Sequence, residues 1–440
     1  MPHVIQRQLK NSESTSCVGL VDADLRDAGG HRVMSAETAF KTLKSAPTIL
    51  HSGGETLACD LAYGFSMTLQ GQAHAEFTDL MRIDPEGATE IARDQSGFKG
   101  QTAYVIDANS RWDSAKSAFH AVGLAEPENL DAEAQKRLFE TLSGADFVGI
   151  RDSNGAEFLE KNGIEITRMP CGVSVLPTVC KPEWALHSAG PAMAEIRDRF
   201  PNGYFAVQVS GYRRRILKPL TQTLSKICAR TGLGVVFFAA GTASGHDDII
   251  ALAKQARSFP RRNALFFPSR NVWDIAALIG NASMYVGTSL HGRIVAMAAG
   301  IPRINLDAGF SKIARYCELW EHMSMPYELP IDRLEEEIER LIVFDRGLLE
   351  KHTHWLQKVY FDAFAKLCQA TNLQTNKRFD ATPALHSAAI RTSENLISEW
   401  ASNERTLRML RRISRRKKKK NLETTKRTQK PVSENSNHSL

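Results

Sequence analysis

The sequence predicts an α/β fold in two successive series of strand–turn–helix units, and three observations carry that expectation. Short apolar runs alternate with amphipathic stretches of helical period, the pattern of strands buried on both faces of a parallel sheet. Several runs end in glycine or a small polar residue suited to open the next helix. Between the two series, residues 178–202 hold Pro182, Pro191 and Pro201 and few strand signals, the composition of a connection. The expected organisation is an N-terminal domain over 1–180, a connection over 181–203, a C-terminal domain with closing helices over 204–372, and a basic tail over 373–440.

In the N-terminal series, residues 17–21 read as a strand and 36–44 as a helix. Residues 47–56 read as a strand, a turn at Gly53 and Gly54, and the start of a helix running from Glu55 to about Thr68. The glycine pair lets the backbone approach a ligand, and the helix start offers unpaired N–H groups. Residues 103–107 read as a second buried strand, with Asn109 and Ser110 in its exit loop, and 129–142 as an amphipathic helix. Residues 145–152 form the next strand, running into a helix over 156–162 that Gly163 ends, and 164–169 a further strand. Arg151 and Asp152 read as a helix-capping ion pair, because Asp152 and Ser153 suit a cap and first turn.

The C-terminal series opens with a strand over 204–210. Gly211-Tyr-Arg-Arg-Arg215 follows at its C-terminal end, where parallel sheets bind ligands. Three adjacent arginines form a candidate clamp for carboxylate and phosphate. Helices are expected over 218–230, 246–257 and 272–280, and strands over 234–241 and 264–268. Asp247 and Asp248 suit a helix dipole, and His246 beside them is a secondary site candidate. Residues 331–367 read as closing helices.

Residues 283–302 are the most informative stretch. Met284 to Val286 form a strand ending in Gly287, Thr288 and Ser289 are N-cap residues, and Leu290, Ile294, Val295 and Ala298 recur at helical spacing. Gly300 and Pro302 stop that helix before a strand over 303–306. His291 falls in the first turn, where the helix dipole disfavours the imidazolium and leaves a neutral ring able to exchange a proton near pH 7.

Composition narrows the function classes. The chain has 440 residues, enough for two cores and a tail. Its seven cysteines are scattered and never form a CxxC pair, which argues for a reducing compartment and against a zinc site. The first residues lack a signal-peptide core and no apolar run approaches about 18 residues, so a cytoplasmic, non-spanning protein is expected. The net charge of +7 is unevenly placed: residues 404–440 hold 13 Lys/Arg against 3 Glu, leaving 43 bases against 46 acids elsewhere. Nucleic-acid binding therefore finds no support in the domains themselves. In the tail, Leu396, Trp400, Leu407 and Leu410 share a helix face ahead of a basic run, so that 405–420 reads either as a segment for the anionic inner face of a membrane, at about 1 kcal/mol per base, or as a solvated charged tail, both ahead of a nucleic-acid arm.

Gly287-Thr-Ser-Leu-His-Gly292, followed by Ala298-Ala-Gly-Ile-Pro302, resembles the C-terminal signature of the polysaccharide pyruvyl transferase family. The resemblance implies two Rossmann-like domains in a GT-B-like arrangement. It implies transfer of a pyruvyl group from phosphoenolpyruvate to a sugar hydroxyl as a ketal, with no metal and no cofactor beyond that co-substrate. The implied acceptor is a glycan or lipid-linked glycan of a surface or exopolysaccharide. His291 would be the acid/base, Arg213 with Arg214 the anion clamp, and Thr288, Ser289, Gly53 and Gly54 further donor contacts, with His246 secondary. Three positions depart from the family: the glycine turn has two glycines, Pro170 is followed by Cys171 instead of an acid, and Ser289 stands where many members place arginine. Arg293 is a poor replacement, since a helix turns it about 200° from His291. Two other classes remain: a GT-B-type glycosyltransferase using a nucleotide sugar, and a non-catalytic interaction protein acting through its basic tail.

Overall fold

In a computed structural model the described residues are 1–376, apart from Asn11, Gln101, 108–111, Asp113, Thr242, Ser244, Gly245, Arg261, Arg262, Ala308 and Phe310. The tail helix and basic run expected over 395–420, and Asn109 and Ser110, lie outside them. A small sheet comes first: β1 (Cys17–Gly19), β2 (Ala23–Asp24) and β3 (Arg32–Ser35), with β3 central. A parallel sheet follows, of β4 (Thr48–Ser52), β5 (Lys116–Val122), β6 (Phe147–Ile150) and β7 (Thr167–Arg168), in that spatial order.

The second parallel sheet contains β8 (Tyr204–Gln208), β9 (Gly234–Phe238), β10 (Ala264–Phe267), β11 (Met284–Gly287) and β12 (Arg303–Asn305). Its spatial order is β10-β9-β8-β11-β12. From β8 the chain builds outward to β9 and β10, then returns to the other side for β11 and β12. That reversal opens a crevice beyond the ends of β8 and β11, the place where open parallel sheets receive ligands. The α/β class with parallel sheets is the one the sequence indicates.

Four local expectations are corrected. Residues 103–107 are a loop, anchored where the Ala103 N–H donates to the Cys59 carbonyl (3.0 Å). The strand is instead Lys116–Val122, whose polar residues hide it: Lys116 pairs with Asp146 at 2.6 Å, and the His120 ring meets the Tyr360 hydroxyl at 2.9 Å. The helix expected from Glu55 starts at Leu61, capped by Asp60, so Glu55 sits in the loop before it. The helix expected from His246 likewise starts at Ile249, capped by Asp248. The connection is helical, Leu176–Val179, Lys181–Ala189 and Pro191–Arg199. Pro182 and Pro191 sit in first turns, where a missing N–H is harmless, so residues read as breakers are helix starters.

The long helix Arg346–Thr371 joins the two halves. Thr353 donates to the Met297 carbonyl at 2.7 Å on the helix that carries His291, and Tyr360 and Phe364 pack with Ala118 on β5. A buried ion cluster holds the C-terminal half from within. Glu321 accepts from Arg293 Nε at 2.6 Å and from Arg303 at 2.5 Å. Arg293 also donates to Asn305 and to the carbonyls of Met325 and Pro326, so its guanidinium is committed to the interior.

Burial alone would raise the Glu321 pKa, but the charges of Arg293 and Arg303 outweigh it and hold the carboxyl at about 2, against an ordinary 4.5. Glu321→Gln is expected to lower stability by about 3–5 kcal/mol at pH 7, measured by urea unfolding. Because the folded-state pKa is depressed, the carboxylate's contribution is complete above about 4.5 and lost as pH falls toward 2, so the gap between the two proteins narrows across that window.

Candidate functional site

One wall is built by the ends of β4, β5 and β6. Gly53 (φ 69°) and Gly54 (φ 77°) take left-handed conformations open to glycine at no Cβ cost. They are stitched to the end of β5: the Gly53 N–H donates to the His120 carbonyl (3.2 Å) and the Gly123 N–H to the Gly54 carbonyl (2.7 Å). The register of β5 against β6 shifts between Phe119 and Val122, with Ala121 at φ 51°, which brings Gly123 to that contact.

The turn lays Glu55 across the sheet end. Its carboxylate accepts from the Ala125 N–H at 2.9 Å and from Arg151 Nη2 at 2.8 Å. Arg151 is 2% exposed, and its Nε and Nη1 have no hydrogen-bond partner. Its carbonyl accepts from the Trp320 indole at 2.7 Å. Asp152 accepts from the N–H groups of Leu124 and Gly155, both at 2.8 Å. Burial first, and the Glu55 charge next, push its pKa up to about 6. Asp152 is thus the helix cap the sequence indicates, whereas Arg151 pairs with Glu55, 96 residues earlier.

The opposite wall comes from β11 and the helix Leu290–Ala298. Ser289 caps that helix, its Oγ accepting from the Gly292 N–H at 3.2 Å. The Tyr285 ring lies beneath the turn, where a Cβ at Gly287 or Gly292 would fall 2.3 or 2.7 Å from its hydroxyl. Thr288, 3% exposed, is a brace between β8 and β11: its Oγ1 accepts from the Ser210 N–H at 2.9 Å and its N–H donates to Gln208 at 3.1 Å.

His291 is open to solvent although its helix is otherwise almost wholly buried and protein surrounds the ring, the geometry of a cleft floor. Loss of bulk water first, then the charges of Arg151, the Met1 amino group and Lys312, lower its pKa to about 3. A ring in contact with water keeps part of its hydration, so the direction carries the conclusion: His291 is neutral at pH 7. Lys312, in the first turn of the helix Ser311–Trp320, has its pKa lowered by burial, with Glu55 opposing and Arg151 adding to the shift. Arg151, Glu55, His291 and Lys312 therefore share one electrostatic environment between the two halves. Hydrogen bonds from Ser311 to Glu126 and from Ser153 to Glu318 cross the same boundary.

The other sequence candidates are exposed side chains. Arg213 and Arg214 are exposed on the 3₁₀ turn Gly211–Ile216, beyond the end of β8. Arg213 approaches Gly309, where a Cβ would meet its Nη2 at 2.6 Å, and Arg214 lies 3.9 Å from Asp248. His246 is exposed and acts electrostatically on His74 of the N-terminal half. Lys312 escapes the sequence reading, in which Glu55 is only a helix start and Arg151 only half of a helix-capping ion pair. One signal for Lys312 is available: a lysine in a helix's first turn opposes the dipole, which marks it as placed for another reason. Among the described residues, no group of three or more His, Cys, Asp or Glu is arranged to hold a metal ion, and no helix is long and apolar enough to cross a membrane.

Residues 100–308 match the polysaccharide pyruvyl transferase family. No curated protein matches the chain. Similar solved structures include the UDP-GlcNAc 2-epimerase of Methanocaldococcus jannaschii, at 11% identity and a TM-score of 0.39 over 62% of this chain and 75% of that one. The UDP-N-acetylglucosamine 2-epimerase of Rickettsia bellii is 10% identical, with a TM-score of 0.42 over 68% and 77%. A UDP-forming trehalose-phosphate synthase of Burkholderia xenovorans is 12% identical, with a TM-score of 0.42 over 58% and 68%.

A Cβ at Gly123 would fall 1.9 Å from Glu55 Oε1 and 3.0 Å from Arg151 Nε. Gly123→Ala is accordingly expected to push the ion pair apart and lower stability by about 1–3 kcal/mol, read by urea unfolding.

Proposed function

With residues 100–308 a polysaccharide pyruvyl transferase segment as the premise, we propose that this transferase moves the pyruvyl group of phosphoenolpyruvate onto two hydroxyls of a sugar as a cyclic ketal, releasing phosphate. The observation that carries the reading is a neutral, solvent-open His291 at a helix N-terminus, flanked by the cations Arg151 and Lys312. A trianionic donor needs cations on its carboxylate and phosphate, and a sugar hydroxyl needs a base with a free nitrogen lone pair.

In this reading Arg151 and Lys312 hold the donor, with Ser289 and the N–H groups of its helix completing the anion contacts. Arg213 and Arg214, across the crevice beyond β8, supply further positive charge as donor and acceptor approach. Gly53 and Gly54 shape the wall that carries Glu55, Thr288 keeps β8 and β11 in register, and His246 lies toward the rim. His291 takes the proton of the first hydroxyl as its oxygen bonds to C2 of the donor, while the C2–C3 π pair takes a proton at C3 to give the methyl group. The second hydroxyl then bonds to C2 as the C2–O bond to phosphate breaks. Of the two hydroxyl protons, one is balanced by the new methyl hydrogen and the other leaves with phosphate. The acceptor is a glycan or lipid-linked precursor at the inner face of the cell membrane, where the basic run over 405–420 would keep a cytoplasmic enzyme.

Purified protein, labelled phosphoenolpyruvate and glycan extracts of the source cell provide the test, with ketal formation and phosphate release as readouts. Transfer from a nucleotide sugar, with no ketal formed, would replace this reading. His291→Ala is expected to lower kcat/KM by about 10²- to 10⁴-fold with the fold retained. Since the lowered pKa keeps the ring neutral well below the ordinary 6.5, kcat/KM should hold as pH falls from 7 to 5 instead of dropping through that value.

A further inference from the structure

Glu55 presents a difficulty for any anionic ligand in this cleft. It is a carboxylate already held by Arg151, the cation to which the reading above assigns the donor. Its Oε1 accepts from Arg151 Nη2 at 2.8 Å, it contributes to the electrostatic environment of Lys312, and it is anchored to the sheet by the Ala125 N–H. Arg151 is fully buried yet keeps Nε and Nη1 without partners, an arrangement that is costly unless a further acceptor arrives. The Glu55 side chain itself is 31% exposed, so one end of the ion pair reaches the cleft while the other is sealed.

From this arrangement we propose that Glu55 is an internal counter-ion that occupies part of the anion subsite of Arg151, so that the donor binds in competition with it. Glu55 keeps the buried guanidinium neutralised while the cleft is empty. When a planar carboxylate or a phosphate enters, it takes Arg151 donors and meets Lys312, and Glu55 yields Nη2 while keeping its Ala125 anchor. Glu55 is a positioning residue acting through Arg151. The inference rests on the pyruvyl transfer reading for the identity of the donor only; the anion chemistry stands without it.

The distinguishing test is a gain of affinity. Glu55→Gln preserves shape but removes the competing charge, and a charge a few ångströms from a buried cation is worth enough to expect about a tenfold tighter Kd. Calorimetry on the full chain would use three probes, namely phosphoenolpyruvate, inorganic phosphate and pyruvate, without acceptor. The expected result is tighter binding of at least one probe in Glu55→Gln and weaker binding of it in Arg151→Lys, whose ammonium lacks the planar fork. The same probe should raise the Tm of Glu55→Gln more than that of the unaltered protein, because it replaces the missing counter-charge.

A folded Glu55→Gln protein with unchanged or weaker affinity for all three probes overturns the proposal, as does lower stability that no probe restores. Should Glu55→Gln fail to fold, Glu55→Asp keeps the charge but is too short to hold both Ala125 and Arg151; it is expected to lower KM for phosphoenolpyruvate, and an unchanged or higher KM counts against the proposal. Tightening toward phosphate or pyruvate with no binding of phosphoenolpyruvate would sustain the counter-ion while sinking the donor assignment, so the two failures are distinguishable.

Discussion

The carboxylate of Glu321 governs the C-terminal half. It receives Arg293 from the helix that carries His291 and Arg303 from β12, and it lies just beyond the helix that begins at Ser311 and Lys312. Three charges have left water together, and the arrangement is tolerable because the two cations and the backbone carbonyls of Met325 and Pro326 satisfy nearly every donor and acceptor. Both helices whose first turns face the cleft are fixed by one acid. Arg293, close in sequence to the histidine, is consumed by this framework, so the positive charge of the site comes from elsewhere in the chain.

Lys312 supplies part of that charge from the same half, and the rest comes from the other half. Arg151 is delivered by the end of β6 and held by Glu55 from the end of β4, and the requirement that both fit excludes any side chain at Gly123. The glycines of the Gly-Thr-Ser-Leu-His-Gly stretch have a similar origin, since Gly287 and Gly292 clear the hydroxyl of Tyr285 beneath them. Much of what marks this stretch as a motif is thus packing around a tyrosine. The polar groups left outside that packing are the exposed His291 ring and the cap made by Ser289.

The C-terminal sheet was legible because four of its strands are almost purely apolar, β12 with Arg303 and Asn305 being the exception; the helix expected over 272–280 is found at Val272–Gly280. The N-terminal sheet was less so. Lys116, Ser117 and His120 give β5 a polar profile, and only partners far along the chain, Asp146 and Tyr360, make its burial affordable. Residues 103–107 show the converse, an apolar run left in a loop. In the site, the capping roles of Ser289 and Asp152 follow from local rules of helix ends, whereas the neutral state of His291 comes from its surroundings, burial first and then the charges of Arg151, the Met1 amino group and Lys312. Arg151 did not follow, because the local rule pairs it with Asp152 while its partner is Glu55, a contact that only the strand order creates.

The helix Arg346–Thr371, about 39 Å long at 1.5 Å per residue, is fastened to both halves. Near its start Thr353 and His352 hold the helices of His291 and Lys312, through the carbonyls of Met297 and Trp320; farther along, Tyr360 holds His120 on β5. A stiff rod pinned to both halves resists hinge-like gaping, which would stretch it along its axis, far more than it resists rolling. The low-energy movement of this cleft is therefore a shear of one sheet edge past the other. It would alter the alignment of His291 with Arg151 while hardly changing the width of the opening.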